Sequence, residues 1–181
     1  MTKIIAISGA LRKASTNTGL LRAIKELAPA HVVFEIATLH AIPLYDGDDE
    51  ALHGKPEAVK ALGEKIRSAD GIIISTPEYN YSFPGVLKNA TDWLSRGGSP
   101  FQAKRTGLVG AADGMLGAAR AQLAFRQNLQ GLQAIVMPKP EVFAGNASQR
   151  FDAEGNLKDQ ELRKHLGVWL TAFLDWVEKK P

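Results

Sequence analysis

Short apolar runs of strand length recur along the chain: Lys3 to Ile7, Val32 to Leu39, Gly71 to Ser75, Thr106 to Gly110 and Ala134 to Met137. They are rich in β-branched residues and largely apolar at successive positions, the pattern of strands buried on both faces. Between them the apolar residues fall at helical spacing. Leu20, Leu21, Ile24, Leu27 and Ala28 form one stripe, and Ala58, Val59, Leu62 and Ile66 a second. Val86, Leu87, Ala90, Trp93 and Leu94 form a third, and the stretch from Leu116 to Leu132 supplies a fourth. The last stripe is the clearest, with Leu162, Leu166, Trp169, Leu170, Phe173, Leu174 and Val177 on one face. Alternating strands and helices predict an α/β fold, a parallel sheet covered on both sides. Five strands suit the order 2-1-3-4-5 in a single domain spanning residues 1–181. The acidic segment from Ile42 to Pro56 reads as a loop, either a flap or a solvated connection.

Two polar segments interrupt this pattern where strands end. "SGALRKASTNTGLL" starts at Ser8, directly after the first strand. In an open parallel sheet, ligands bind beyond the carboxyl ends of the strands. The N-terminus of the following helix offers unpaired N–H groups and a positive dipole end, which suit a phosphate. Ser15, Thr16, Asn17 and Thr18 can cap that helix or donate to phosphate oxygens, and Arg12 can add a charged hydrogen bond. Capping alone accounts for one of these residues, not for the set. The loop contains neither G-x-x-x-x-G-K-[ST] nor G-x-G-x-x-G. Its length and hydroxyl content fit a terminal monophosphate, such as that of FMN, better than a pyrophosphate.

"TPEYNYSFPG", Thr76 to Gly85, follows the third strand, the neighbour of the first in the proposed order. Both loops then face one crevice. Pro77 and Pro84 stiffen the second loop, which would fix the N–H groups of Glu78 to Ser82 for a flat heteroaromatic edge. Tyr79 and Tyr81 add amphipathic surface.

"SGALRKASTNTGLL" with "PEYNYSFPGVLKNATDWLSR" resembles the NADPH-dependent FMN reductase family, and within it the bacterial chromate and quinone reductases. The resemblance covers nearly the whole chain, including "GLVGAADGMLGAARAQ". It implies a flavodoxin-like fold, bound FMN, reduction by NADPH or NADH, electron transfer to quinones or similar acceptors such as chromate, and a homodimer or homotetramer. By position it assigns Ser8, Arg12, Ser15, Asn17 and Thr18 to the FMN phosphate. Pro77, Glu78, Tyr79, Asn80 and Tyr81 would border the ribityl chain and the isoalloxazine, with the Asn80 backbone N–H near flavin N5. Asp113 and Gly114 belong to the third loop, under the flavin. There Ala111 and Ala112 stand where the family commonly has Ser, and Ala118 where a second Gly is common. No catalytic acid–base pair is needed, because the flavin carries the chemistry. Small residues in "AADGMLGAA" would leave one flavin face open to donor and acceptor in turn, a ping-pong cycle. Arg105 and Arg120 flank this loop and could meet nucleotide phosphates. A flavodoxin-type electron carrier is the alternative, although an aromatic residue shielding the flavin would suit that role better.

Composition narrows the classes. Apolar residues make up 45% and charged residues 23% of the 181, with 22 Lys+Arg against 19 Asp+Glu. The net charge of +3 is too small for a nucleic-acid footprint and suits small anionic partners. The absence of cysteine excludes disulfides and thiolate chemistry. His31, His40, His53 and His165 lack metal-ligand spacing, so no metal is expected. G-x-S-x-G is missing, which argues against an α/β-hydrolase. Met1-Thr2-Lys3 leads into an apolar run too short for a signal peptide, so a cytoplasmic protein is expected. Phe125, off the main apolar stripes, is a candidate for a two-fold contact.

Overall fold

Strand β1 (Thr2–Ser8) lies in a parallel sheet between the edge strand β2 (Val32–Ala37) and the central β3 (Gly71–Ser75), and β4 (Arg105–Ala111) follows β3. This computed structural model describes residues 1–179. The edge beyond β4 is shared by two short strands. β5 (Ile135–Val136) pairs with the start of β4 and β6 (Val142–Ala144) with its end. The order is 2-1-3-4-5, as the flavodoxin-like reading requires, with β6 continuing the edge. The fifth strand expected over Ala134 to Met137 is thus cut short. Pro138 and Pro140 have no N–H to give the ladder, and the chain returns to β4 only at Val142.

Period-two alternation along the strands builds two cores. Ile4, Ala6, Ile73 and Val109 face α1 (Thr16–Leu27) and α7 (Gln160–Glu178). Ile5, Ile7, Ile72, Ile74 and Leu108 face α3 (Glu57–Ser68), α4 (Gly85–Ser95) and α5 (Ala119–Gly131). The α7 stripe from Leu162 to Val177 is buried as its spacing predicted. Each of its large side chains contributes about 1.5–3 kcal/mol of burial. Phe125 is fully buried against Phe83, with ring centroids 4.8 Å apart. It belongs to the intramolecular core, not to a two-fold contact.

The segment from Ile42 to Pro56 is not a plain loop. It contains α2 (Gly47–His53), capped by the Asp46 carboxylate on the Asp48 N–H at 2.8 Å. Asn89 accepts the Tyr45 N–H at 2.8 Å, the Trp93 indole donates to the Pro43 carbonyl at 3.0 Å, and Arg96 pairs with Glu50 at 2.8 Å. The Tyr45 phenol pKa is raised, chiefly because its hydroxyl donates to Glu50. Acidic residues at a helix start are favoured by the dipole; the apolar period was too short to reveal this helix. Arg105 sits at the other end of the sheet from the polar loops, donating to the carbonyls of Val177 and Lys179 at 3.3 and 2.6 Å. It closes the C-terminus of α7 and does not flank the third loop.

α7 lies close on the sheet because β4 carries glycine beneath its aromatic residues. A Cβ at Gly107 would stand 2.7 Å from Cζ2 of Trp169 and 3.0 Å from Cδ2 of Phe173. Both rings are fully buried and stacked, so neither has room to move. Gly107→Ala is therefore expected to lower stability by about 1–3 kcal/mol through overpacking, read as a shifted urea midpoint with an unchanged slope.

Candidate active site

The carboxyl ends of β1, β3 and β4 open into one cleft of about 670 Å³, within the range of small-molecule and cofactor sites. Three loops build it: Gly9 to Ser15 after β1, Thr76 to Pro84 after β3, and Ala112 to Ala118 after β4. A fourth segment, Ala147 to Ala153 after β6, closes one side.

In the first loop the Ser15 hydroxyl caps α1, accepting the N–H groups of Asn17 and Thr18 at 3.2 and 3.3 Å. The Ser8 hydroxyl is buried and meets that of Thr18 at 2.8 Å. Asn17 is buried too. Its carboxamide donates to the Ala111 carbonyl at 3.0 Å and accepts from the Ala111 N–H and the Ser75 hydroxyl, each at 3.0 Å. The side chains of Ser8, Asn17 and Thr18 thus bond within the protein and hold the loop in shape; of the three, Asn17 also lines the cleft. Arg12, Ser15 and Thr16 line the cleft, and Arg12 makes no ion pair among the described residues.

The second loop ends in a two-residue hairpin. Tyr79 and Ser82 exchange backbone bonds of 2.9 and 3.0 Å, and Asn80 and Tyr81 both adopt left-handed φ values, 49° and 67°. Such a turn normally selects Asn-Gly, so Tyr81 stands in a conformation that costs a non-glycine residue free energy. The Arg120 guanidinium lies 3.8 Å over its ring and holds it. The hairpin bonds use the N–H groups of Tyr79 and Ser82 and leave those of Asn80 and Tyr81 at the tip. Pro77, Glu78 and Tyr79 line the cleft, and Asn80 and Tyr81, next to them at the hairpin tip, are exposed.

Glu78 ties the second loop to α5. The N-cap position of that helix is Ala118, whose left-handed φ of 68° and methyl side chain supply no cap. The nearly buried Glu78 carboxylate takes that place, accepting the N–H groups of Arg120 and Ala121 at 3.0 and 3.2 Å and pairing with the Arg120 guanidinium. A negative charge there also meets the positive end of the helix dipole.

In the third loop Asp113 accepts the Ser148 N–H at 2.8 Å. Gly114 is exposed, and a Cβ there would meet nothing within 4 Å. Ala111, Ala112, Gly117 and Ala118 line the cleft here with small side chains, beside the larger Leu116.

Of the residues singled out from the sequence, the cleft brings together Arg12, Ser15, Asn17, Pro77, Glu78, Tyr79, Asp113 and Gly114. Ser148, Phe151 and Asp152 also line it and were not expected. Their signal was the turn-rich "GNASQRFDAEGN", which gains meaning only once β6 is seen to deliver it to the cleft. The Asp152 carboxyl is held below its ordinary range, first by the backbone N–H of Asn156, against some desolvation.

The family model of NADPH-dependent FMN reductases matches residues 2–149. An NAD(P)H-dependent FMN reductase of Pseudomonas aeruginosa is 43% identical over 98% of this chain and 96% of its own. A quinone reductase of Escherichia coli is 42% identical over 98% of this chain and 96% of its own. Among solved structures, a flavoenzyme NAD(P)H:(acceptor) oxidoreductase of Paracoccus denitrificans superposes with a TM-score of 0.87 at 32% identity, covering 98% of both chains. With the loop sequences and the strand order, these similarities establish that the chain belongs to the NADPH-dependent FMN reductase family.

Proposed function

We propose that this protein is an FMN-dependent NAD(P)H oxidoreductase that passes electrons from NADPH or NADH to quinones. Chromate is a second acceptor to test, and a homo-oligomer in the cytoplasm is the working form. Among the described residues no helix is long and apolar enough to cross a membrane.

The donor set fits FMN. The capped N-terminus of α1 and the cation of Arg12 stand at one end of the cleft, where a monophosphate would bind. The second loop lines the cleft with Pro77, Glu78 and Tyr79, and the third mainly with alanine and glycine beside Asp113 and Leu116. When bound, FMN would supply the hydride acceptor and the electron donor of the reaction. The chain's own part is to bind and orient it. Arg12 and the N–H groups of the first loop would hold the phosphate. The left-handed tip at Asn80 would aim an N–H at the flavin edge, the electrostatic aid expected near N5. Glu78 and Arg120 keep that tip in place.

The observation that carries this reading is the exposed Gly114 on the third loop, which has open space around it and small neighbours at Ala111 and Ala112. That space is what an enzyme needs if nicotinamide and quinone are to stack there in turn. An electron carrier has no use for that access.

Arg12→Ala is expected to weaken FMN binding about 10- to 150-fold, the effect of losing a charged hydrogen bond. Riboflavin, without the phosphate, should bind both forms alike in a fluorescence titration. An unchanged FMN affinity would remove Arg12 from the site.

Donor and acceptor cannot stack on one face together, so initial rates at several fixed quinone levels should give parallel double-reciprocal lines. Gly114→Leu, in a position with open space around it, should retain FMN yet slow reduction by NADPH and reoxidation by quinone alike. Intersecting lines would require separate donor and acceptor sites.

Met115, Leu116 and Leu123 are exposed beside the cleft, at 85%, 54% and 65% of their full area. Covering them against a second copy supports the oligomer. Light scattering at micromolar concentration should give at least twice the chain mass of 19.5 kDa; a monomer would end this part of the reading.

A further inference from the structure

The segment after α6 (Ala147–Arg150) folds back as a small hairpin, with Phe151 bridged to Leu157. Its tip is a rigid turn. Asp152 accepts the N–H groups of Glu154 and Asn156 at 3.0 and 2.7 Å, and its own N–H donates to the Asn156 carbonyl at 2.9 Å. The tip rests on the first turns of α1 at two glycines. Gly155 has a left-handed φ of 77°, and a Cβ on it would stand 2.7 Å from the Ala14 carbonyl oxygen and 3.1 Å from the Ser15 carbonyl carbon. A Cβ on Gly19 would collide with the Gly155 carbonyl oxygen. Arg22, further along α1, closes the contact by donating to that oxygen at 3.0 Å and to the Asn156 side-chain oxygen at 3.1 Å.

We propose that this hairpin is a clamp that positions the phosphate-binding turn, with Gly155 and Arg22 as positioning residues for the phosphate of FMN. The inference rests on the FMN reading above. The physical reason is one of shape. The first loop lies at the open end of the sheet; Ser15 caps the helix start from within its own turn, and Asn17 ties it to the sheet. Ala14 and Ser15 face the cleft, and the direction of the N–H groups that follow them depends on what presses from the other side. Gly155 supplies that backing, backbone against backbone, where a side chain would push the turn towards the ligand. Phe151 and Asp152 of the same hairpin line the cleft, so the clamp also forms the wall at that end.

A clamp on the phosphate turn should affect ligands according to whether they carry a phosphate. The dissociation constants of FMN and riboflavin are to be measured by quenching of flavin fluorescence on apo-protein, together with the melting temperature. Wild type should prefer FMN. Arg22→Ala should reduce that preference about tenfold, the size of one lost or misaligned charged hydrogen bond, with riboflavin affinity unchanged. Arg22→Lys should recover part of the preference, and Gly155→Ala should reduce it further. If Gly155→Ala does not fold, the two Arg22 variants decide. A preference for FMN that survives in Arg22→Ala, or an equal loss of both affinities, would overturn the clamp while leaving the FMN reading intact. Wild type that binds FMN no better than riboflavin would overturn both.

Discussion

The site depends on one buried side chain. Asn17, in the first turn of α1, exchanges a pair of hydrogen bonds with the backbone of Ala111 at the end of β4 and accepts a third from Ser75 at the end of β3. One carboxamide thereby ties the helix that follows β1 to the two strands beside it. All these groups are shielded from water, and orphaning a buried donor costs about 1–3 kcal/mol. A helix start that drifted from the sheet would leave several groups unpaired at once. The three loops of the cleft therefore keep a common frame although they come from distant parts of the chain.

Each loop is then held by groups from another. Glu78 of the second loop caps the helix that follows the third, and Arg120 of that helix stacks on Tyr81 of the second. Asp113 of the third loop takes an N–H from the segment after β6, and that segment backs the first loop through Gly155. Hydrogen bonds in such a closed set support one another more than isolated pairs do. A cofactor with a phosphate at one end and a flat ring system at the other suits a cleft of this kind, because its two ends must be held in fixed relation. The exposed Gly114, with open space around it, is the exception, and it is where substrates would need access.

Much of this was legible in the sequence. Strand runs buried on both faces, helical stripes between them and two polar loops at strand ends pointed to the parallel sheet and the place of the cleft, because burial period and turn chemistry are local properties; the order 2-1-3-4-5 entered as a match to the flavodoxin-like pattern, and the structure has it. The α7 stripe appeared as read, and Arg12, Ser15, Glu78 and Gly114 were brought to one cleft. What the tertiary structure decided was where polar groups point. Ser8, Asn17 and Thr18 carry the chemistry of ligand donors, yet Ser8 and Thr18 pair with each other and Asn17 satisfies the backbone of Ala111 at the end of β4. Arg105 and Arg120 lie on either side of the third loop in sequence, but β4 runs the length of the sheet and carries them to opposite ends. Phe125 joined the core because α5 presses it onto Phe83. The short helix at Gly47 and the strand at Val142 had too few residues for any period to show. The hairpin at Asp152 acquired its place only through that strand. A sequence records which groups must be paired; which partner each one finds depends on neighbours that folding brings from elsewhere.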